Sequence, residues 1–167
     1  MPDTRYFEDM HVGDRFEGQP RTITSADVRE FAELTGDRNP IHLDPEFART
    51  TPFGRPIAHG MLTLSVALGL WSAAGITRDS LVALVSLEEV KFRQPLYPGE
   101  RVHLSTEVLS VRPSRSHPGG GIVTYTDRLL DDQQGVVVEF RRVVLLKKRS
   151  PFTGAEPPSG TTAENGN

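Results

Sequence analysis

Residues 57–76 read Ile57-Ala58-His59-Gly60-Met61-Leu62-Thr63-Leu64-Ser65-Val66-Ala67-Leu68-Gly69-Leu70-Trp71-Ser72-Ala73-Ala74-Gly75-Ile76. The stretch holds no acid, lysine or arginine, and its 20 residues match the length of a bilayer span. His59, Thr63, Ser65, Ser72 and three glycines argue against that reading. A helix that is apolar nearly all round in a soluble chain is wrapped on most sides by its own protein. The stretch therefore predicts a buried central helix that begins near His59-Gly60 and stops at Gly75. After residue 80 the apolar period changes from helical to two. Leu81–Arg93, Arg101–Val111, Ile122–Leu130 and Val136–Lys148 become strand candidates, with turn chemistry at Pro95 to Gly99, Pro113 to Gly121 and Asp131 to Gly135. In the second of these, Val102, Leu104, Thr106 and Val108 alternate with Arg101, His103, Ser105 and Glu107. One long helix followed by four antiparallel strands describes an α+β fold, a sheet curled around a helix. Such a sheet leaves an edge and part of a face open, which a second copy of the chain would close.

Working outward, the chain has 167 residues, 37% apolar and 25% charged, enough for one domain with a real core. Its net charge of −3 lacks the basic footprint of a nucleic-acid binder. With no cysteine, disulfides, thiolate zinc sites and a cysteine nucleophile are excluded. The N-terminal MPDTRYFEDM has neither the basic region nor the apolar run of a secretory leader, so a cytoplasmic location and no membrane partner are expected. Residues 1–149 form the expected single domain. Residues 150–167 are dominated by Pro, Gly, Ser, Thr and Asn and are expected to be a disordered tail.

Between the N-terminus and the central helix, a turn at Val12-Gly13-Asp14 precedes a possible strand around Arg15–Thr22. Thr24 and Asp27 form a capping-box pattern, Val28, Phe31, Ala32 and Leu34 supply an apolar helical face, and Gly36 suits the helix end. Pro40 biases Asn39 away from helical geometry, so Asp37 to Pro40 reads as a turn. Asp44-Pro45 reads as the cap and first residue of a short helix running to about Arg49.

Of the five histidines, His11, His103 and His117 sit in polar or turn sequence and read as solvated. His42 and His59 lie in dense turn sequence beside the central helix. The turn at Asn39-Pro40 is able to bring Asp37 and His42 to one space, and a carboxylate beside an imidazole can take and give the protons that water activation needs. The alternative is a plain helix exit, with Asp37 capping local N–H groups. At Gly60, a helix start offers unpaired N–H groups to a ligand oxygen, an oxyanion site, unless the glycine serves only close packing. A metal held by Asp37, His42, Asp44 and His59 is a further alternative, without the spacing of a known metal motif. The basic run Arg141, Arg142, Lys147, Lys148 and Arg149 reads as a solvated strand end, with phosphate contact as the weaker option.

Gly36-Asp37-Arg38-Asn39-Pro40-Ile41-His42 resembles the GDxNP(L/I/V)H signature of the MaoC-like, (R)-specific enoyl-CoA hydratases. The likeness continues through Leu43 to Ala48 and Phe53 to Leu62, and more loosely at Lys91 to Glu100. The resemblance implies a hot-dog fold, a curved antiparallel sheet wrapped around one long central helix, as a homodimer or higher homo-oligomer. It implies that Asp37 and His42 activate water, that the Gly60 N–H polarises a thioester carbonyl, and that Asn39, Arg55, His59 and Met61 line the substrate. It implies an acyl-CoA substrate, with coenzyme A entering as part of it and no metal or other cofactor. The same signature suits a dehydratase acting on carrier-protein thioesters, and a non-catalytic hot-dog partner subunit is the remaining alternative. Where some relatives carry a helix serine eight residues after the glycine, this chain has Leu68, with Ser65 one turn nearer, which leaves acyl preference open. Trp71 is expected to limit pocket depth.

Overall fold

The computed structural model describes residues 4–149. The expected disordered tail, 150–167, lies outside the described residues. In chain order the elements are β1 (Arg15–Glu17), β2 (Arg21–Thr22), α1 (Ser25–Thr35), α2 (Pro40–Leu43), α3 (Pro45–Arg49), α4 (Gly60–Ala74), β3 (Leu81–Phe92), β4 (Arg101–Pro113), β5 (Gly120–Asp131) and β6 (Val136–Lys147). The strands form one antiparallel sheet in the order β1-β4-β5-β6-β3, with β2 also paired to β4. The helix α4 lies against its inner face, which is the hot-dog architecture.

Local chemistry explains the element ends. The Asp27 N–H donates to Thr24 Oγ1 at 3.1 Å and the Thr24 N–H donates to Asp27 Oδ2 at 2.7 Å, a closed capping box at the start of α1. Gly36 and Gly75 end α1 and α4 at φ of 77° and 70°, a left-handed geometry that costs other residues strain. The inner row of β4 is Val102, Leu104, Thr106 and Val108, all buried, as the alternation predicts. Leu62, Leu64, Val66, Ala67, Leu70 and Trp71 of α4 close the core against Tyr125, Val138, Phe140 and Val144. Each large side chain so buried contributes roughly 1.5–3 kcal/mol.

The structure differs from the sequence reading in several places. Leu34 is 84% exposed, because only Val28 and Ala32 of α1 reach the core fully. Asn39-Pro40 begins the short helix α2 instead of a bare turn. Asn39 Oδ1 accepts the Ile41 N–H at 3.1 Å, and proline fits the first helical position because its missing N–H is not needed there. The helix α4, in contrast, is wrapped on most sides as read, leaving Met61, Ser65, Gly69 and Ser72 as an exposed stripe. Arg142 is not part of a solvated strand end. Its guanidinium is 3% exposed, donates from Nε to Asp127 Oδ2 at 2.6 Å, and stacks 4.3 Å and 4.5 Å from the ring centres of Trp71 and Tyr125. The neighbouring bases of that run are also engaged: Arg141 pairs with Glu89, Lys148 Nζ donates to the Pro118 carbonyl, and Arg149 pairs with Asp9.

The strand β3 is the sheet edge, paired only to β6, and Leu81, Val82, Leu84 and Val85 along its first half are exposed. Among the described residues, no helix is long and apolar enough to cross a membrane.

Candidate active site

Three short backbone devices bring the site together. The left-handed turn at Gly36 turns the chain out of α1 and leaves Asp37 exposed just beyond the helix. The single turn of α2 then carries His42 back toward the core, where it is half-buried. The segment before α4 runs extended, tied by the Ile57 N–H to the Ile41 carbonyl at 3.3 Å and by the Ala58 N–H to the Leu96 carbonyl at 2.7 Å. That segment places His59 against His42 of α2 and Gly60 at the start of α4.

His42 and His59 are stacked, with ring centroids 3.8 Å apart and planes 31° from parallel. Since a carbonyl can only accept, His42 Nδ1–H donates to the Ile57 carbonyl at 2.8 Å, and His59 Nε2–H donates to the Asp37 backbone carbonyl at 2.9 Å. The tautomer of His42 is thereby set, and its Nε2 keeps a lone pair for proton transfer. One donor atom from each of Asp37, His42 and His59 lies within 4.8 Å of the others. Burial pulls the His42 pKa below its ordinary value; the Ile57 carbonyl resists this, His59 adds to it, and Asp37 opposes it. A base that stays unprotonated near neutral pH, beside a carboxylate, can take a proton from water and return it.

Gly60 is the first residue of α4, so its N–H has no acceptor within the helix and stands at the positive end of the helix dipole. It opens onto a cleft of about 330 Å³ walled by Phe53, Ile57, Phe92, Pro95 and Leu96. A Cβ at Gly60 would sit 3.2 Å from the Phe92 ring, so the glycine keeps this approach narrow but open. A larger hollow of about 1000 Å³ lies elsewhere, between β3 and the β4–β5 turn, with none of these residues in its wall.

The other residues named from sequence fall as follows. Asn39 spends its side-chain oxygen on capping α2. Arg55 is exposed, paired with Glu100 at 3.2 Å and stacked over Tyr97 at 4.0 Å. Met61 is exposed in the first turn of α4. His59 is 2% exposed, deep behind His42. Asp44 is outside the cluster of possible metal-holding groups: Oδ1 accepts the Glu46 and Phe47 N–H groups at 2.9 and 3.2 Å as the cap of α3. Two contributors had no signal in the sequence, the Ile57 carbonyl that orients His42 and the Phe92 ring beside Gly60. Both depend on which segments meet in space.

The sequence matches the family described as MaoC like domain over residues 9–127. It is 44% identical over 118 residues to the 3-hydroxybutyryl-CoA dehydratase of Methylorubrum extorquens, covering 69% of this chain and 72% of that protein. It is 37% identical over 122 residues to the (R)-specific enoyl-CoA hydratase of Aeromonas caviae, covering 73% and 85%. The crystal structure of the MaoC-like dehydratase from Rhodospirillum rubrum aligns with a TM-score of 0.78 at 30% identity, over 87% of this chain and 98% of that one.

Proposed function

The chain belongs to the MaoC-like dehydratase family, and from that premise we propose that it is a hydro-lyase adding water reversibly to a trans-2-enoyl-CoA to give an (R)-3-hydroxyacyl-CoA. The observation that carries the reading is the cluster of Asp37 and His42, with its Nε2 lone pair, against His59, the residue directly before the Gly60 N–H that opens α4.

In the proposed mechanism a water sits between Asp37 and His42. As its oxygen bonds to C3 of the enoyl group, one member of the dyad takes its proton. The C2–C3 π electrons shift toward the thioester carbonyl, whose oxygen gains enolate charge against the Gly60 N–H. The dyad then returns a proton to C2, so one water is added and the enzyme is unchanged. Dehydration is the same path reversed. A positioned acid–base group is worth roughly 10²–10⁴ in rate, and a single oxyanion donor about 10²–10³. The chemistry asks for no metal or redox group, and coenzyme A arrives with the substrate.

The reading includes a second copy of the chain on the open edge of β3, where exposed Leu81, Val82, Leu84 and Val85 would otherwise offer an unguarded apolar strand. The test of the activity is hydration of crotonyl-CoA, followed by loss of the enoyl-thioester absorbance, with the configuration of the product read by chiral chromatography. The (R) product is expected. The (S) product would overturn the proposed geometry. Turnover only of thioesters on a carrier protein would move the substrate class, and none with either would favour a partner subunit.

A further inference from the structure

We infer that His59 is a positioning residue of this site, the brace that holds both members of the dyad at once. It grips the Asp37 backbone through Nε2–H and backs the His42 ring with its own face. The inference rests on the hydration reading above for what the dyad does, and on the structure for how it is held.

Five observations carry it. At 2% exposure His59 is out of reach of a substrate in the cleft, so contact with the acyl group does not account for it. It stands at the N-cap of α4, yet its side chain makes no capping hydrogen bond, so the helix start does not account for it either. Its side-chain hydrogen bond and its nearest ring contact go to the two residues of the dyad: the 2.9 Å bond to the Asp37 carbonyl and the 3.8 Å stack on His42. Phe31 of α1 packs beside it as well, with its ring centre 5.0 Å away, and the buried imidazole has little freedom to move. Finally, His59 Nδ1 is buried with no hydrogen-bond partner. An unpaired buried nitrogen is a cost that an apolar ring of similar size would avoid, and such costs persist where a specific contact requires the group.

The physical logic follows from the turn that carries Asp37. Asp37 lies on an exposed loop between α1 and α2, and apart from the His59 contact its hydrogen bonds are long and local: its N–H donates to Thr35 Oγ1 at 3.3 Å, and its side-chain Oδ1 accepts the Asn39 N–H at 3.4 Å. The bond from His59 ties that loop to the rigid start of α4, 22 residues further along the chain. The same ring keeps water from one face of His42. Without it, Asp37 would drift by the order of an ångström, and a shift of that size in a reacting group costs about 10²-fold in rate.

Three variants separate the two contacts. His59→Gln keeps a donor for the Asp37 carbonyl and loses the stack, His59→Phe keeps the stack and loses the donor, and His59→Ala loses both. The expected result is a fall in kcat of about 10²-fold for His59→Ala, with KM for crotonyl-CoA within a few-fold of wild type and smaller falls for the other two. A second readout needs no turnover: NMR titration of the His42 imidazole. Asp37 and His59 lie beside that ring, and Arg29 and Glu33 of α1 share with it the wall of a separate hollow of about 400 Å³. Admitting water beside it relieves the desolvation, so its titration midpoint rises in His59→Ala and stays nearer wild type in His59→Phe. Folded His59→Gln and His59→Phe variants with wild-type kcat and an unmoved His42 midpoint would overturn the inference. A loss confined to KM would overturn it too, by making His59 a substrate contact. If the wild-type chain hydrates nothing, the His42 titration still decides whether His59 holds the dyad, so the two readings fail separately.

Discussion

Replacing Gly60 with proline isolates the one hydrogen bond assigned to the developing enolate. Gly60 is the first residue of α4, a position where proline is favoured because the N–H it lacks has no helical acceptor. His59 before it has φ −61° and ψ 141°, the extended geometry a residue preceding proline prefers. The helix should therefore survive the change while the donor is lost. Proline also brings a Cβ, which meets Phe92 at 3.2 Å, a contact that the ring must yield to by a few tenths of an ångström. Gly60→Ala carries the same Cβ and keeps the N–H, so the ratio of the two variants measures the hydrogen bond. Loss of a single oxyanion donor costs about 2.7–4 kcal/mol, so kcat of Gly60→Pro should lie roughly 10²–10³ below that of Gly60→Ala. Both are assayed with crotonyl-CoA, and circular dichroism checks the helix content. Equal rates in the two folded variants would refute the assignment of the Gly60 N–H, and leave the glycine as a packing device against Phe92.

Asp127→Ala strands the Arg142 guanidinium in the core between Trp71 and Tyr125, and should cost roughly 3–5 kcal/mol. In calorimetry that is a fall in Tm of about 10 °C, whereas a change under about 2 °C would mean the pair is not sealed from water. For His42, burial disfavours the imidazolium, so its folded pKa lies below the unfolded value near 6.5. Two consequences have the same sign: the acid limb of kcat/KM falls below pH 6.5, and the folded chain loses stability as pH drops from about 6.5 toward the folded pKa, because the unfolded chain binds the extra proton. An acid limb at or above 6.5 would contradict the burial. The proposed pairing along β3 predicts a dimer of the wild-type chain in sedimentation equilibrium that Val85→Lys, which puts a charge on that edge, converts to a monomer; a monomeric wild type would contradict the pairing, and a dimer that survives the change would place the contact elsewhere.

The parts of the fold visible in the sequence are those decided by local chemistry. The Thr24–Asp27 box, the left-handed glycines at 36 and 75 and the alternation of Val102 to Val108 each need only neighbouring residues to be recognised. The parts that were hidden depend on distant partners. Arg142 sits in a run of bases that looks solvated, and only the β5–β6 pairing, which sets Tyr125 opposite Arg142, brings Asp127 within its reach. Leu34 continues the apolar pattern of α1 but projects beyond the surface that the core covers. Asn39-Pro40 has one local signal for two outcomes, a turn or a helix start, and the Asn39 side chain decides it by capping Ile41. In the site, Asp37 and His42 were legible as a pair because only four residues, which include the Asn39-Pro40 signal, separate them. The place of His59 was not, since its burial depends on α1, α2 and α4 meeting around it.

The most direct test of the account is the hydration rate of crotonyl-CoA by the wild-type chain, Asp37→Asn, His42→Ala and the double variant. If the two side chains act on one water, each single change costs roughly 10²–10⁴ in kcat and the double variant is little slower than the worse single one. Losses that multiply in the double variant, or a folded single variant that retains wild-type kcat, would contradict a shared catalytic water.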